Sequence, residues 1–147
     1  MKKWIAASAV LLLAGCSDSP SEPRRPNLTG QWAYSATNIS GGGVSCDVVG
    51  VTLNLTQSGS TFSGSATGGV LTCRAGGESV SVNLTSAVVA NGSINGNQVV
   101  FDIDTSDWRN TGTLSGNSMS GVVNVRIDRG APIGVILLSG NFSAVRQ

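Results

Sequence analysis

Apolar and polar side chains alternate along most of the chain from residue 27 onward. In the clearest segment, residues 47–57, the apolar residues Val49, Val51, Leu53 and Leu55 alternate with small or polar ones. A period of two indicates a β-strand with one dry face and one wet face. No segment shows the period of an amphipathic helix. The pattern therefore predicts an all-β domain.

Tight turns join these alternating segments. Gly96-Asn97 and Gly116-Asn117 each separate two of them, and Gly59-Ser60 forms a looser copy. Such two-residue turns are typical of β-hairpins. Consecutive hairpins form an antiparallel up-and-down meander of about eight strands, which removes its exposed edges by closing or by stacking two sheets. We expect a closed, lipocalin-like barrel, with a β-sandwich as the alternative.

The phase of the alternation assigns one set of residues to the interior. A barrel of about eight strands is just wide enough to be filled by side chains or to hold a small ligand. These residues would therefore either pack the barrel or line an apolar ligand cavity. They are Val49, Val51, Leu53, Leu55, Val80, Val82, Phe101, Ile103, Val123 and Val125.

The first fifteen residues have the composition of an export signal. Lys2 and Lys3 are followed by an apolar run over residues 4–14. The run is shorter than the about 20 residues that a membrane-spanning helix needs. We expect residues 1–15 to be a signal peptide that is removed from the mature chain.

The residues that follow the apolar run, Leu13-Ala14-Gly15-Cys16, resemble the lipobox of bacterial lipoproteins. The resemblance implies that the Cys16 thiol is acylated, with diacylglyceryl and palmitate-type chains, and becomes the first residue of the mature chain. Ser17 in the next position implies transfer to the outer membrane, on its periplasmic or its outer side. An ordinary secretory signal with an incidental cysteine is the alternative.

Residues 16–26 are rich in proline and polar residues and predict a disordered tether. The domain would then span residues 27–147. Removal of residues 1–15 takes away both lysines and leaves seven arginines against eight acidic residues, a net charge near −1. This balance argues against a nucleic-acid partner, which needs a basic face. The membrane, contacted through the acyl chains, is the partner that the sequence indicates.

The residues that usually carry catalysis are scarce. The chain has no histidine, which removes the commonest general base and metal ligand. No serine lies in a nucleophile-elbow pattern. We expect no enzymatic activity and no cofactor. Asp102, Asp104 and Asp107 form a weak candidate for a calcium site, but the first two fit equally well on the wet face of a strand.

Cys46 and Cys73 are the two thiols that remain beside Cys16. In an exported chain, two cysteines that flank successive strands favour a disulfide bond over a metal pair or reactive thiols. We expect Cys46 and Cys73 to be bonded to each other.

Gly30-Gln31-Trp32 near the start of the domain and Arg146 near its end resemble the calycin barrels, which include lipocalins, fatty-acid-binding proteins and avidins. Leu28-Thr29-Gly30-Gln31-Trp32 is particularly similar to the start of an avidin. The resemblance implies that Trp32 packs against Arg146 and plugs one end of the barrel, with the opposite end open. A core aromatic residue in any sandwich is the alternative for Trp32.

Two functions are consistent with these features. One is an envelope-anchored lipoprotein whose barrel binds a small hydrophobic ligand. The other is a non-enzymatic structural, adhesion or protein-interaction module with a filled barrel or sandwich.

Overall fold

A computed structural model describes residues 26–128, 130 and 134–147, and residues 105 and 106 by their backbone alone. The predicted signal peptide, Cys16 and the tether up to residue 25 lie outside this range. No helix in the described part of the chain is long and apolar enough to cross a membrane. Within these residues the chain forms ten β-strands: β1 (Gly30–Gly41), β2 (Val44–Ser58), β3 (Thr61–Thr67), β4 (Val70–Ala75), β5 (Glu78–Asn83), β6 (Ser86–Asn95), β7 (Gln98–Ile103), β8 (Thr105–Ser115), β9 (Ser118–Asp128) and β10 (Val135–Arg146).

Eight of these strands close into an antiparallel barrel in the order β1-β2-β3-β6-β7-β8-β9-β10, and β10 pairs with β1 again. The predicted up-and-down barrel is thereby confirmed, and the sandwich alternative is wrong. The remaining strands, β4 and β5, form a hairpin inserted between β3 and β6. This hairpin pairs with the first half of β2, while the second half of β2 pairs with β3.

Three short turns lie at one end of the barrel and join β2 to β3, β6 to β7 and β8 to β9. Each is a two-residue loop whose first residue is a glycine with positive φ: Gly59, Gly96 and Gly116. A type II′ turn requires such a glycine and matches the twist of a hairpin. These glycines therefore set the strand pairing that the sequence predicted.

Apolar side chains fill the half of the barrel near these turns. Buried residues from all eight barrel strands contribute, and the rings of Phe62, Phe101 and Phe142 pack with centroids 5.6 to 5.8 Å apart. Leu28, which precedes β1, is fully buried and covers this end. Burial of each large apolar side chain contributes roughly 1.5–3 kcal/mol to the stability of the fold.

The interior assignment of Val49 was wrong. Opposite β1, Tyr34 pairs with Val51 and Ala36 pairs with Val48, so β2 carries one extra residue at this point. Gly50 lies in this bulge with a φ of 75°. An extra residue reverses the phase of the alternation. Val48 therefore points inward, and Val49 is 51% exposed.

The assignment of Val80 and Val82 to the barrel interior was also wrong. The alternation of apolar and polar residues over residues 78–84 suggests one strand that continues into the apolar residues 87–90, but the structure divides this segment into β5 and β6. Because β5 belongs to the inserted hairpin, it lies outside the closed wall. Val80 and Val82 are 62% and 52% exposed.

Candidate functional site

A cavity of about 250 Å³ lies in the barrel at the end opposite the three short turns. Its walls are mainly apolar and come from β1, β2, β3, β6, β7 and β8, and the segments that flank the inserted hairpin add Gly68, Leu84 and Thr85. The lining consists of Tyr34, Val48, Val51, Ala66, Gly68, Leu84, Thr85, Ser86, Ala87, Ile103, Asp104 and Trp108.

A polar network borders this cavity within the barrel. The indole Nε1 of Trp108 donates a hydrogen bond of 3.3 Å to the Tyr34 hydroxyl group, which can donate in turn to Oδ1 of Asn110 at 2.9 Å. The Asn110 amide makes a long contact of 3.5 Å to the carbonyl oxygen of Phe101. Asn110 is fully buried, so these bonds satisfy polar groups that would otherwise be costly to bury. Phe101 and Phe142 pack directly beneath the network.

Burial dominates the ionisation of Tyr34. Removal of water from around the phenol raises its pKa well above the ordinary value, and the hydrogen bond from Trp108 offsets this only in part. The hydroxyl group therefore stays neutral at physiological pH. Its proton is donated to Asn110 and one lone pair accepts from Trp108, so its second lone pair can accept a hydrogen bond from a ligand.

A second cavity, of about 300 Å³ and more open to solvent, adjoins the first. The two share Ile103, Asp104 and Trp108. Asp104 has a φ of 68°, a left-handed conformation that aspartate tolerates better than most residues.

The second cavity has an acidic rim. Its described lining residues include three carboxylates, those of Asp104, Asp107 and Asp128, and the guanidinium group of Arg126. Arg126 lies 3.5 Å from Asp107 and 3.8 Å from Asp128. The described part of the lining therefore carries an excess of negative charge.

The three aspartates of the weak calcium candidate do not form a joint site. Asp102 is buried, accepts a hydrogen bond of 2.8 Å from Asn91 and lies 3.9 Å from Arg109. Asp104 is exposed at the cavity rim, and Asp107 pairs with Arg126. Among the described residues, no group of three potential ligands is close enough together to hold a metal ion.

Trp32 and Arg146 meet at the filled end of the barrel. The guanidinium carbon of Arg146 lies 4.6 Å from the ring centroid of Trp32. The same guanidinium group donates to the carbonyl oxygens of Thr29, at 2.7 Å, and Asn27. The indole of Trp32 donates to the carbonyl oxygen of Leu28 at 2.8 Å. This is the plugged end that the calycin resemblance implied, and it lies opposite the cavity.

The disulfide bond between Cys46 and Cys73 is confirmed. The two cysteines are directly opposite each other on β2 and β4. The bond therefore fastens the inserted hairpin to the barrel wall. Arg74 and Asp47, 3.0 Å apart, add an exposed ion pair between the same two strands.

The ten residues predicted to face the interior separate into three groups. Val51, Ile103 and Val125 line one or both cavities. Leu53, Leu55, Phe101 and Val123 lie in the packed core. Val49, Val80 and Val82 are exposed.

Sequence reasoning missed Val48, Ala66 and Asn110. A signal for Asn110 was present, because it interrupts an inward-facing series with a polar side chain: Trp108, Asn110, Gly112 and Leu114. A polar residue at an inward position usually finds a buried hydrogen-bond partner.

Comparison of the chain with protein-family models, with curated proteins and with solved structures finds no match.

Proposed function

We propose that this domain binds a small, mainly apolar molecule at the open end of its barrel, without catalysis, and that acylated Cys16 anchors it in the bacterial outer membrane. The cavity of about 250 Å³ is the observation that carries the binding proposal. An apolar cavity of about 150 Å³ holds benzene, and drug-sized ligands need about 300–1,000 Å³. The volume of this cavity lies between these limits, so the cavity is large enough for a small ring system or a short alkyl chain.

The polar groups of the cavity favour a particular head group. The Tyr34 hydroxyl group has an uncharged acceptor site left at the inner border, and the acidic rim surrounds the exit toward the second cavity. A carboxylate at the rim would meet charges of its own sign, whereas an amine would be attracted. An uncharged or cationic amphiphile therefore suits the site better than a fatty acid.

A matched series of ligands tests this proposal. We expect decanol and decylamine to change the fluorescence of Trp108 and to raise the melting temperature, and decanoate to do so only weakly. The preference for decylamine over decanoate should shrink at high salt, because ions screen the rim. Equal binding of all three would contradict the role of the rim charges.

A substitution that fills the cavity provides the structural control. Ala66 is buried and lines the cavity, whereas Ala33 on β1 is exposed. Ala66→Leu should abolish decanol binding while the barrel stays folded, and Ala33→Leu should leave binding unchanged. Binding that survives Ala66→Leu would place the ligand elsewhere. A lack of binding by the parent chain would favour the interaction module.

The anchor rests on the lipobox resemblance and has its own test. Labelling with a palmitate analogue should be lost in Cys16→Ala and retained in Cys46→Ala, which removes a disulfide cysteine instead. Persistent labelling of Cys16→Ala would contradict lipidation. Ser17→Asp should shift the labelled chain from the outer to the inner membrane.

A further inference from the structure

Strand β5 has one unpaired edge in the described part of the chain. It pairs with β4 on one side and is the last strand of the sheet on the other. All six of its residues, Glu78–Asn83, are exposed. The closed barrel has no such edge, because each of its strands has neighbours on both sides.

This edge lacks several of the features that usually prevent association. Proteins protect free edges with lysine, proline, a bulge or a covering segment. β5 contains neither lysine nor proline, and its pairing with β4 continues over six residues without a register shift. Val80 and Val82 give it a strongly exposed apolar face. Such an edge is a template for a further strand.

We propose that two copies of this chain associate by antiparallel pairing of their β5 strands, with Ser81 of each copy on the twofold axis. Directly opposite residues of an antiparallel pair lie on the same face of the sheet. A register centred on Ser81 places Val80 of each copy opposite Val82 of the other. Ser79 then lies opposite Asn83, so apolar and polar faces both match.

The pairing would extend an apolar surface that already crosses the hairpin. Val48, Leu71 and Val82 are directly opposite one another on β2, β4 and β5, and so are Cys46, Cys73 and Val80. In the dimer, Val82 of one copy would lie opposite Val80 of the other. The row that ends in Val82 in one copy would therefore continue into the row that ends in Val80 in the other. Val80 and Val82 of each copy would be partly buried against the valines opposite them, which favours association.

The charges of the edge are compatible with a second copy of the same chain as its occupant. Glu78 is the one charged residue of β5 and lies at its end. In the proposed register, Glu78 faces Leu84, and the two glutamates lie six residues, or about 20 Å, apart. That distance exceeds the screening length of about 8 Å at physiological salt, so they do not repel appreciably.

The small size of the edge sets the strength of association. Stable interfaces bury about 1,200–2,000 Å² in total, which a single six-residue edge does not reach. We therefore expect a weak dimer, with a dissociation constant in the micromolar range or above. Attachment of both copies to one bilayer would raise their effective concentration.

Thiol cross-linking tests both the partner and the register. We use the full chain with Cys16→Ser in every variant, purified in mild detergent, so that an introduced cysteine is the one free thiol. Ser81→Cys should form a disulfide-linked dimer on mild oxidation, because directly opposite Cβ atoms are about 4.5–5.5 Å apart. Ser79→Cys is the matched control. Its two thiols would be about 13 Å apart and should not react.

Two further variants complete the test. A mixture of Ser79→Cys and Asn83→Cys chains should yield a cross-linked heterodimer, because these positions face each other across the pair. Val80→Lys added to Ser81→Cys should reduce dimer formation at least tenfold, and this exposed substitution should leave the barrel folded. Equal cross-linking of Ser79→Cys and Ser81→Cys, or none for Ser81→Cys, would overturn the proposal. Cross-linking of the Ser81→Cys chain in native envelopes to another protein alone would also overturn it.

Discussion

Tyr34 is the single tyrosine of the chain, and its hydroxyl group is the central member of the network beside the cavity. Burial raises its pKa, so above pH 10 the unfolded chain loses this proton more readily than the folded one. The associated stability is present below pH 10 and is lost as the pH rises beyond that value.

The ultraviolet absorbance of phenolate therefore tests the environment of Tyr34 directly. We expect the signal to appear together with unfolding and not at the ordinary midpoint near pH 10. Tyr34→Phe should remove this part of the alkaline destabilisation. It should also cost about 1–3 kcal/mol at neutral pH, because Oδ1 of Asn110 loses its donor. A midpoint near pH 10 with the native circular dichroism retained would contradict the buried network.

Single residues also explain where the sequence pattern misled. One extra residue at Gly50 reversed the phase of β2, and the sequence offers only a glycine as a hint. Asn91, with a φ of 51°, marks a similar irregularity within β6, between Ala90 and Ser93. Bulges depend on the partner strand, so the alternation of one segment cannot place them.

The disulfide bond attaches the inserted hairpin, β4 and β5, to strand β2 of the barrel. The bond closes a loop with a sequence separation of 27 residues. On the chain-entropy model such a cross-link contributes about 3–4 kcal/mol. The replacement of Cys46 and Cys73 by alanine should lower the free energy of unfolding by about this amount, as measured in denaturant.

Hydrogen exchange should show where that stability resides. In the double alanine variant, amides of β4 and β5 should exchange much faster, while those of β8 and β9 stay protected until global unfolding. Thr72→Ala with Ser81→Ala is a suitable control, because it removes only an exposed hydrogen bond of 2.9 Å between β4 and β5. Equal loss of protection in β8 and β9 would mean that the hairpin is part of the barrel's cooperative unit.

At the scale of the whole molecule, the contact of Trp32 with Arg146 joins the first barrel strand to the last. Lysine in place of Arg146 would keep the positive charge but lose the planar guanidinium group, whose two nitrogens donate to two carbonyl oxygens. We expect Arg146→Lys to destabilise the fold by about 1–2 kcal/mol. Arg126→Lys, at an exposed pair, should change it by less than about 0.5 kcal/mol. Thermal unfolding of both variants measures the difference, and equal effects would contradict a special role for the plug.

The sequence specified the barrel because alternation and turn glycines act locally and agree with each other. The contact that plugs the barrel could be predicted from two short motifs at the ends of the domain. The cavity could not be predicted, because it depends on how Tyr34 of β1, Ala66 of β3 and Trp108 of β8 approach one another across the interior. Such long-range placement follows from strand register and bulges, which the period of a single segment does not encode.

The position of Asn27 and Leu28 at the plugged end determines where the proposed anchor would be attached. A chain of about ten residues from Cys16 to Pro26 can reach at most about 35 Å when fully extended. If Cys16 is acylated as proposed, the plugged end would be tethered within that distance of the leaflet. The cavity would then open at the end of the barrel away from the point of attachment.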